Sequence, residues 1–212
     1  SLLRVRVTRP DGLQVLAVSG DQSVLHVLDR DAVSGELTPA TSHPLPDCGP
    51  YPAFPVDVVS SPDGSSVYLA DFQFDFDIEG CLMAFQRAAD GTLGAVKVHK
   101  GTHFNGLESI VFSSDGKDVY TAAHLGAAVS HLKRDPDTGD LSQVVSIVEE
   151  SLFGVEMLTI APDDKHVYVG NPVMSNITVF ERNENTGSLT LIQEIGPDTE
   201  GLLNNAAGIV AS

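Results

Sequence analysis

The sequence has no tryptophan, two cysteines and only 12 lysines and arginines among 212 residues. Cys48 and Cys81 are too few for a disulfide framework and too far apart for a zinc or redox pair. They read first as two isolated thiols; the alternative, a single bridge, would require an oxidising compartment. The scarcity of base against 29 aspartates and glutamates leaves a formal charge of −17. Such a surface repels phosphate backbones, which argues against nucleic acid and anionic membranes. Cations, basic proteins or neutral small molecules suit it better. No apolar run reaches the roughly 18 residues of a spanning helix, and helical periodicity of any length is missing. A Gly-x-Ser-x-Gly elbow and a phosphate loop are missing too. The chain is still 42% hydrophobic and 19% charged, enough to bury a sizeable core. Its compartment is open between the cytoplasm and an exported form with its signal removed.

What the sequence does have is repetition. Four turn signals recur, Arg9-Pro10-Asp11-Gly12, Ser61-Pro62-Asp63-Gly64, Ser113-Ser114-Asp115-Gly116 and Ala161-Pro162-Asp163-Asp164, with their third residues 52, 52 and 48 positions apart. A second series follows: Ser34-Gly35-Glu36-Leu37, Asp90-Gly91-Thr92-Leu93, Thr138-Gly139-Asp140-Leu141 and Thr186-Gly187-Ser188-Leu189. Arg30, Arg87, Arg134 and Arg182 precede these second turns, 18 residues after the end of the first turn in three copies and 23 in the second.

Each copy reads as four short strands. Val56–Ser60, Ser109–Ser113 and Met157–Ala161 enter the first turn, whose Asp-Gly favours a tight hairpin. Strands through Tyr68, Tyr120 and Tyr168 leave it. These runs carry apolar residues on both faces, so each sheet must stack against neighbours on both sides. The spacing predicts an all-β fold, a β-propeller of four-stranded antiparallel blades at about 1–45, 52–100, 105–150 and 153–196, with a partial fifth blade at 205–212.

The series Ser-Pro-Asp-Gly, Val-Tyr-Val, Phe-x-Arg and Thr-Gly-x-Leu resembles the lactonase-type β-propellers, relatives of 6-phosphogluconolactonase and carboxymuconate cyclase. The resemblance covers nearly the whole chain, but its matching residues are turn and packing residues, which identify architecture rather than chemistry. That family is usually seven-bladed. Leu3–Thr8 reads as an innermost strand and Ala207–Ser212 as the innermost strand of a further blade. The natural polypeptide is therefore expected to continue at both ends, or a partner chain to complete the propeller.

In such a sheet the short regular turns share one face and the variable loops share the other, where ligands usually bind. Counting back eight residues from each first turn reaches the channel mouth, at Arg4, Val56, Glu108 and Glu156, with Ala207 in the partial repeat. Arg4 could orient a carboxylate or lactone bidentately. Glu108 or Glu156, raised in pKa by its like-charged neighbour, could act as acid or base. The resemblance implies a site of histidine, arginine and glutamate, which adds His103 and His124. The competing reading has these charges merely solvate the rim.

The segment 71–80 alternates phenylalanine with acid and holds the five extra residues of the second repeat. Asp71, Asp75, Asp77 and Glu79 offer oxygens for a Ca²⁺ site, although the full ligand series of an EF-hand is missing. The competing reading makes Phe72, Phe74 and Phe76 an exposed or half-exposed patch for a partner or lid, with Asp57 and Asn171 on the same binding face. His131 is expected to be a buried or interblade histidine. The leading functional expectation is a binding or scaffold module presenting an acidic, loop-rich face to a protein or small molecule. The alternative is a lactone hydrolase or cyclase at the channel mouth.

Overall fold

The computed structural model describes residues 3–7, 11–196 and 209–211. Its strands form four antiparallel sheets, each built in chain order. Blade 1 holds β1 (Leu3–Val7), β2 (Gln14–Ser19), β3 (Val24–Arg30) and β4 (Leu37–Pro44). Blade 2 holds β5 (Pro55–Ser60), β6 (Ser66–Asp71), β7 (Gly80–Arg87) and β8 (Leu93–Gly101). Blade 3 holds β9 (Leu107–Phe112), β10 (Asp118–Ala123), β11 (Ala128–Arg134) and β12 (Leu141–Val148). Blade 4 holds β13 (Met157–Ile160), β14 (His166–Asn171), β15 (Asn176–Arg182) and β16 (Leu189–Ile195). The partial blade expected at 205–212 lies outside the described residues apart from 209–211, which carry no strand.

Strand periodicity explains the stacking. In β6, Val67 and Leu69 point toward blade 1 and join Leu16, Val18, Leu25 and Val27 in one buried cluster. The intervening Tyr68 and Ala70 point the other way and join Leu107, Ile110, Val119 and Leu132 of blade 3. In β10, Tyr120 and Ala122 likewise meet Leu158, Val167, Val169 and Phe180 of blade 4. A strand that is apolar on both faces thus serves two interblade cores. The innermost strands are neighbours: β5 lies beside β1 and β9, and β9 beside β13. The outer strands β4 and β16 are largely exposed.

The aspartates that mark the first turns cap their own loops. Asp11, Asp63, Asp115 and Asp163 each accept a hydrogen bond through Oδ1 from the backbone N–H two residues on, an Asx turn. The next position is glycine at positive φ in three copies, and Asp164 at φ 61° in the fourth. Aspartate tolerates this region better than most residues. Asp164 also gains partners, since its carboxylate accepts from the N–H and Oγ of Ser114 in blade 3.

One expectation is corrected. Cys48 and Cys81 are not isolated thiols but a disulfide with Cα atoms 5.9 Å apart. Cys48 sits in the long proline-rich connection between blades 1 and 2, and that connection folds back so that Leu45, Cys48 and Ala53 enter the blade 1–blade 2 core beside Cys81. His131, as expected, is buried and interblade: within its own blade its Nε2 lies 2.7 Å from Asp118 Oδ1 and its ring stacks on Tyr120, and across the boundary it packs against Gly187 of blade 4.

Candidate functional site

Antiparallel alternation puts the Asp-Gly and Gly-x-Leu turns on one face and the β2–β3-type turns and interblade segments on the other. On the second face His124 follows β10 directly, and both flanking interblade segments fix its backbone. Its N–H donates to Gly106 O at 2.8 Å, and its carbonyl accepts from Gly154 N–H at 3.1 Å. The ring stands between two aromatic edges, Phe72 at 5.9 Å and Phe153 at 5.6 Å between centroids. Its Nδ1 lies 3.5 Å from Glu156 Oε1, an ion-pair distance longer than a hydrogen bond, and has no other partner. Glu156 precedes β13, where its N–H donates to Gly170 O at 3.1 Å. The imidazole is the more buried of the two groups, with 17% of its side chain exposed against 40% for the glutamate. A sheltered histidine beside a solvent-reachable carboxylate has the chemistry needed for proton transfer.

The structure thus brings two of the expected mouth residues together, His124 and Glu156. Glu108 is half-buried on the adjacent innermost strand β9. Arg4 pairs with Val18 through the backbone of β1, and its side chain lies outside the described residues, as does all of Ala207. His103 stands apart from the pair, on a single 3₁₀ turn at Thr102–Phe104, where it helps line a cavity between blades 2 and 3. Burial lowers its pKa from the usual histidine value, with the Glu79 charge opposing.

The other candidates serve the scaffold. Asp57 is buried and its carboxylate accepts from the N–H groups of Val58 and, across the blade boundary, Ile110. Asn171 is also buried. Its Nδ2 donates to the carbonyls of Ser151 and Phe153, and its Oδ1 accepts from Met174 N–H. Asn171 therefore holds the Phe153 segment against the mouth rather than facing a ligand.

The acidic phenylalanine segment divides. Phe72 is 7% exposed, against 76% for Phe74 and 65% for Phe76. Phe72 belongs to the core because it continues β6 inward, which corrects the expectation of three surface phenylalanines. Asp71 is buried with both oxygens engaged, by Phe54 N–H and Gln73 Nε2, and burial pushes its pKa up. Asp75 accepts from Asp77 N–H and Tyr51 OH, while Asp77 and Glu79 are exposed. Among the described residues these four carboxylates do not converge on one point. The one group that does, Cys48, Asp71 and Cys81, has its sulfurs committed to the disulfide. The expected Ca²⁺ site is therefore not assembled among them. Sequence reasoning missed Phe153. Its ring lies in one of the variable interblade loops, and nothing in the repeat pattern singles it out.

Comparison with known proteins supports the same architecture. A candidate 6-phosphogluconolactonase from Bacteroides fragilis superposes with a TM-score of 0.74 at 28% identity, over 91% of this chain and 54% of its own. A second, from Bacteroides uniformis, gives 0.75 at 21% over 92% and 55%. The periplasmic gluconolactonase of Pseudomonas aeruginosa gives 0.73 at 20% over 92% and 57%. The chain spans about half the length of these structures. No curated protein matches it. The family model for lactonase, 7-bladed beta-propeller, matches residues 93–199, half of the sequence. With its four blades and the repeated turn signature, the chain belongs to that lactonase family of β-propellers.

Proposed function

We propose that this chain forms part of a lactone hydrolase whose reacting groups lie at the channel mouth. The observation that carries the reading is the His124–Glu156 pair, sheltered by Phe72 and Phe153 on the loop face. With Nδ1 directed at Glu156, the ring has Nε2 available to take a proton from water. The water oxygen attacks the lactone carbonyl carbon, the ring C–O bond breaks, and the imidazolium returns the proton to the departing alkoxide. Glu156 offsets the imidazolium charge in the interval. Family membership and the gluconolactonase relatives support this reading better than the binding-module expectation.

The carboxylates of Glu108 and Glu156 and the net charge of −17 favour an uncharged sugar lactone over a phosphorylated one, because a phosphate monoester entering this face is repelled. The test is hydrolysis by the polypeptide that carries this chain, with glucono-δ-lactone and its 6-phosphate compared in parallel. The expected outcome is turnover of the neutral lactone with the higher kcat/KM, reduced at least tenfold by Glu156→Gln. Hydrolysis of neither compound would remove the proposal.

A further inference from the structure

Outward from the mouth, blades 2 and 3 enclose a cavity of 510 Å³. Residues 76–79, residues 102–105 and the turn after β10 converge on it. Their approach depends on Gly80, where a Cβ would collide with the Phe104 carbonyl. Asn105, 5% exposed, lines this space. Its Nδ2 donates to Phe76 O at 3.2 Å, which fixes the amide orientation and makes Oδ1 the atom without a partner. Nε2 of His103 is likewise unpartnered. A buried acceptor with nothing to accept from is costly unless a donor arrives. Glu79 and Asp77 add negative charge at the rim. Phe76, stacked on Phe153 at 6.3 Å between ring centroids, presents an exposed aromatic surface.

We infer that this cavity binds an organic cation, an alkylammonium or guanidinium group on a short aliphatic chain. The charged head pairs with Glu79 and Asp77 at the rim, with the unmatched Asn105 Oδ1 behind it, while the aliphatic portion lies against Phe76 and Ile78. The volume and the scatter of the carboxylates favour such a group over a bare metal ion, since among the described residues Asp77, Glu79 and His103 do not gather to metal-ligand distance. A net charge of −17 raises the local concentration of any cation. This site adjoins the mouth through the Phe76–Phe153 stack and through the turn that runs from His124 to Leu125 and Gly126, and it does not depend on lactone chemistry.

The test is calorimetric titration of the polypeptide carrying this chain with agmatine, which bears both head groups on a four-carbon chain, in about 150 mM salt to screen general attraction. Saturable one-site binding is expected. Glu79→Gln and Phe76→Ala, both at exposed side chains, should each weaken it at least tenfold, while Glu184→Gln on the opposite face should leave it unchanged. Three results would overturn the inference: no saturable binding, equal weakening by Glu184→Gln, or displacement of agmatine by calcium chloride or succinate at lower concentration.

Discussion

Arg182 of blade 4 donates through Nε to the hydroxyl of Tyr120 in blade 3 at 2.7 Å, and the Tyr120 hydroxyl in turn donates to the carbonyl of Gly187 at 2.7 Å. The same atoms meet one boundary earlier, where Arg134 Nε donates to Tyr68 at 3.2 Å and Tyr68 donates to Gly139 O at 2.6 Å. Each repeat arginine also reaches back to its own first turn: Arg30 to Gly12 O, Arg87 to Gly64 O, Arg134 to Gly116 O and Arg182 to Asp164 O. The residues that make the sequence periodic are therefore the clasp that locks one blade onto the next. Blade 1 carries Leu16 where blades 2 and 3 carry the clasp tyrosines, so the tyrosine form of the clasp begins at the boundary of blades 2 and 3.

Tyr120→Phe deletes the hydroxyl and leaves Arg182 Nε and Gly187 O without this partner inside a closed boundary. The expected loss is about 2–3 kcal/mol of folding stability, read from the denaturant midpoint. An unchanged midpoint would show that the clasp contributes nothing.

Asp118 lies at the same boundary. Burial raises its pKa, but hydrogen bonds from His131, Lys133 and Arg182 outweigh it and hold the carboxyl well below the usual range. A lowered folded pKa means that the contribution is complete above the ordinary value of 3.8. It is lost as pH falls from there toward the folded value. Asp118→Asn should cost about 3–5 kcal/mol at pH 7, because the buried Arg182 is left with the more distant Asp164 carboxylate at 3.9 Å. It should also flatten the fall in stability between about pH 4 and about pH 2. Urea unfolding curves that shift in parallel for both proteins would contradict this assignment.

The disulfide closes a 33-residue separation between the blade 1–2 connection and β7. Removing it through Cys48→Ser with Cys81→Ser should lower stability by about 3–4 kcal/mol, chiefly by freeing the unfolded chain. Thiol titration of unreduced, unfolded protein should find no reactive cysteine. Two titrating thiols would mean that the bridge does not form.

The blades were legible because a propeller writes its turns, tyrosines and arginines at fixed intervals. The two-sided apolar strands gave the stacking, and the arginine series was visible before its clasp partners were. Pairing information was harder to read. Cys48 and Cys81 meet only because residues 45–53 fold back into a core, which no local spacing encodes. His103 and His124 look alike in sequence, yet one lies on a 3₁₀ turn in an outer cavity and the other follows β10 into the mouth. Phe72, Phe74 and Phe76 share one alternating pattern, but the end of β6 at Asp71 puts the first inside and the other two outside.

The most direct measurement is kcat/KM for glucono-δ-lactone with the polypeptide carrying this chain, wild type against His124→Asn, at matched melting temperature. The account predicts a loss of about 100-fold or more, the scale expected for removing a general base, with KM little changed. Full turnover by the variant would contradict it.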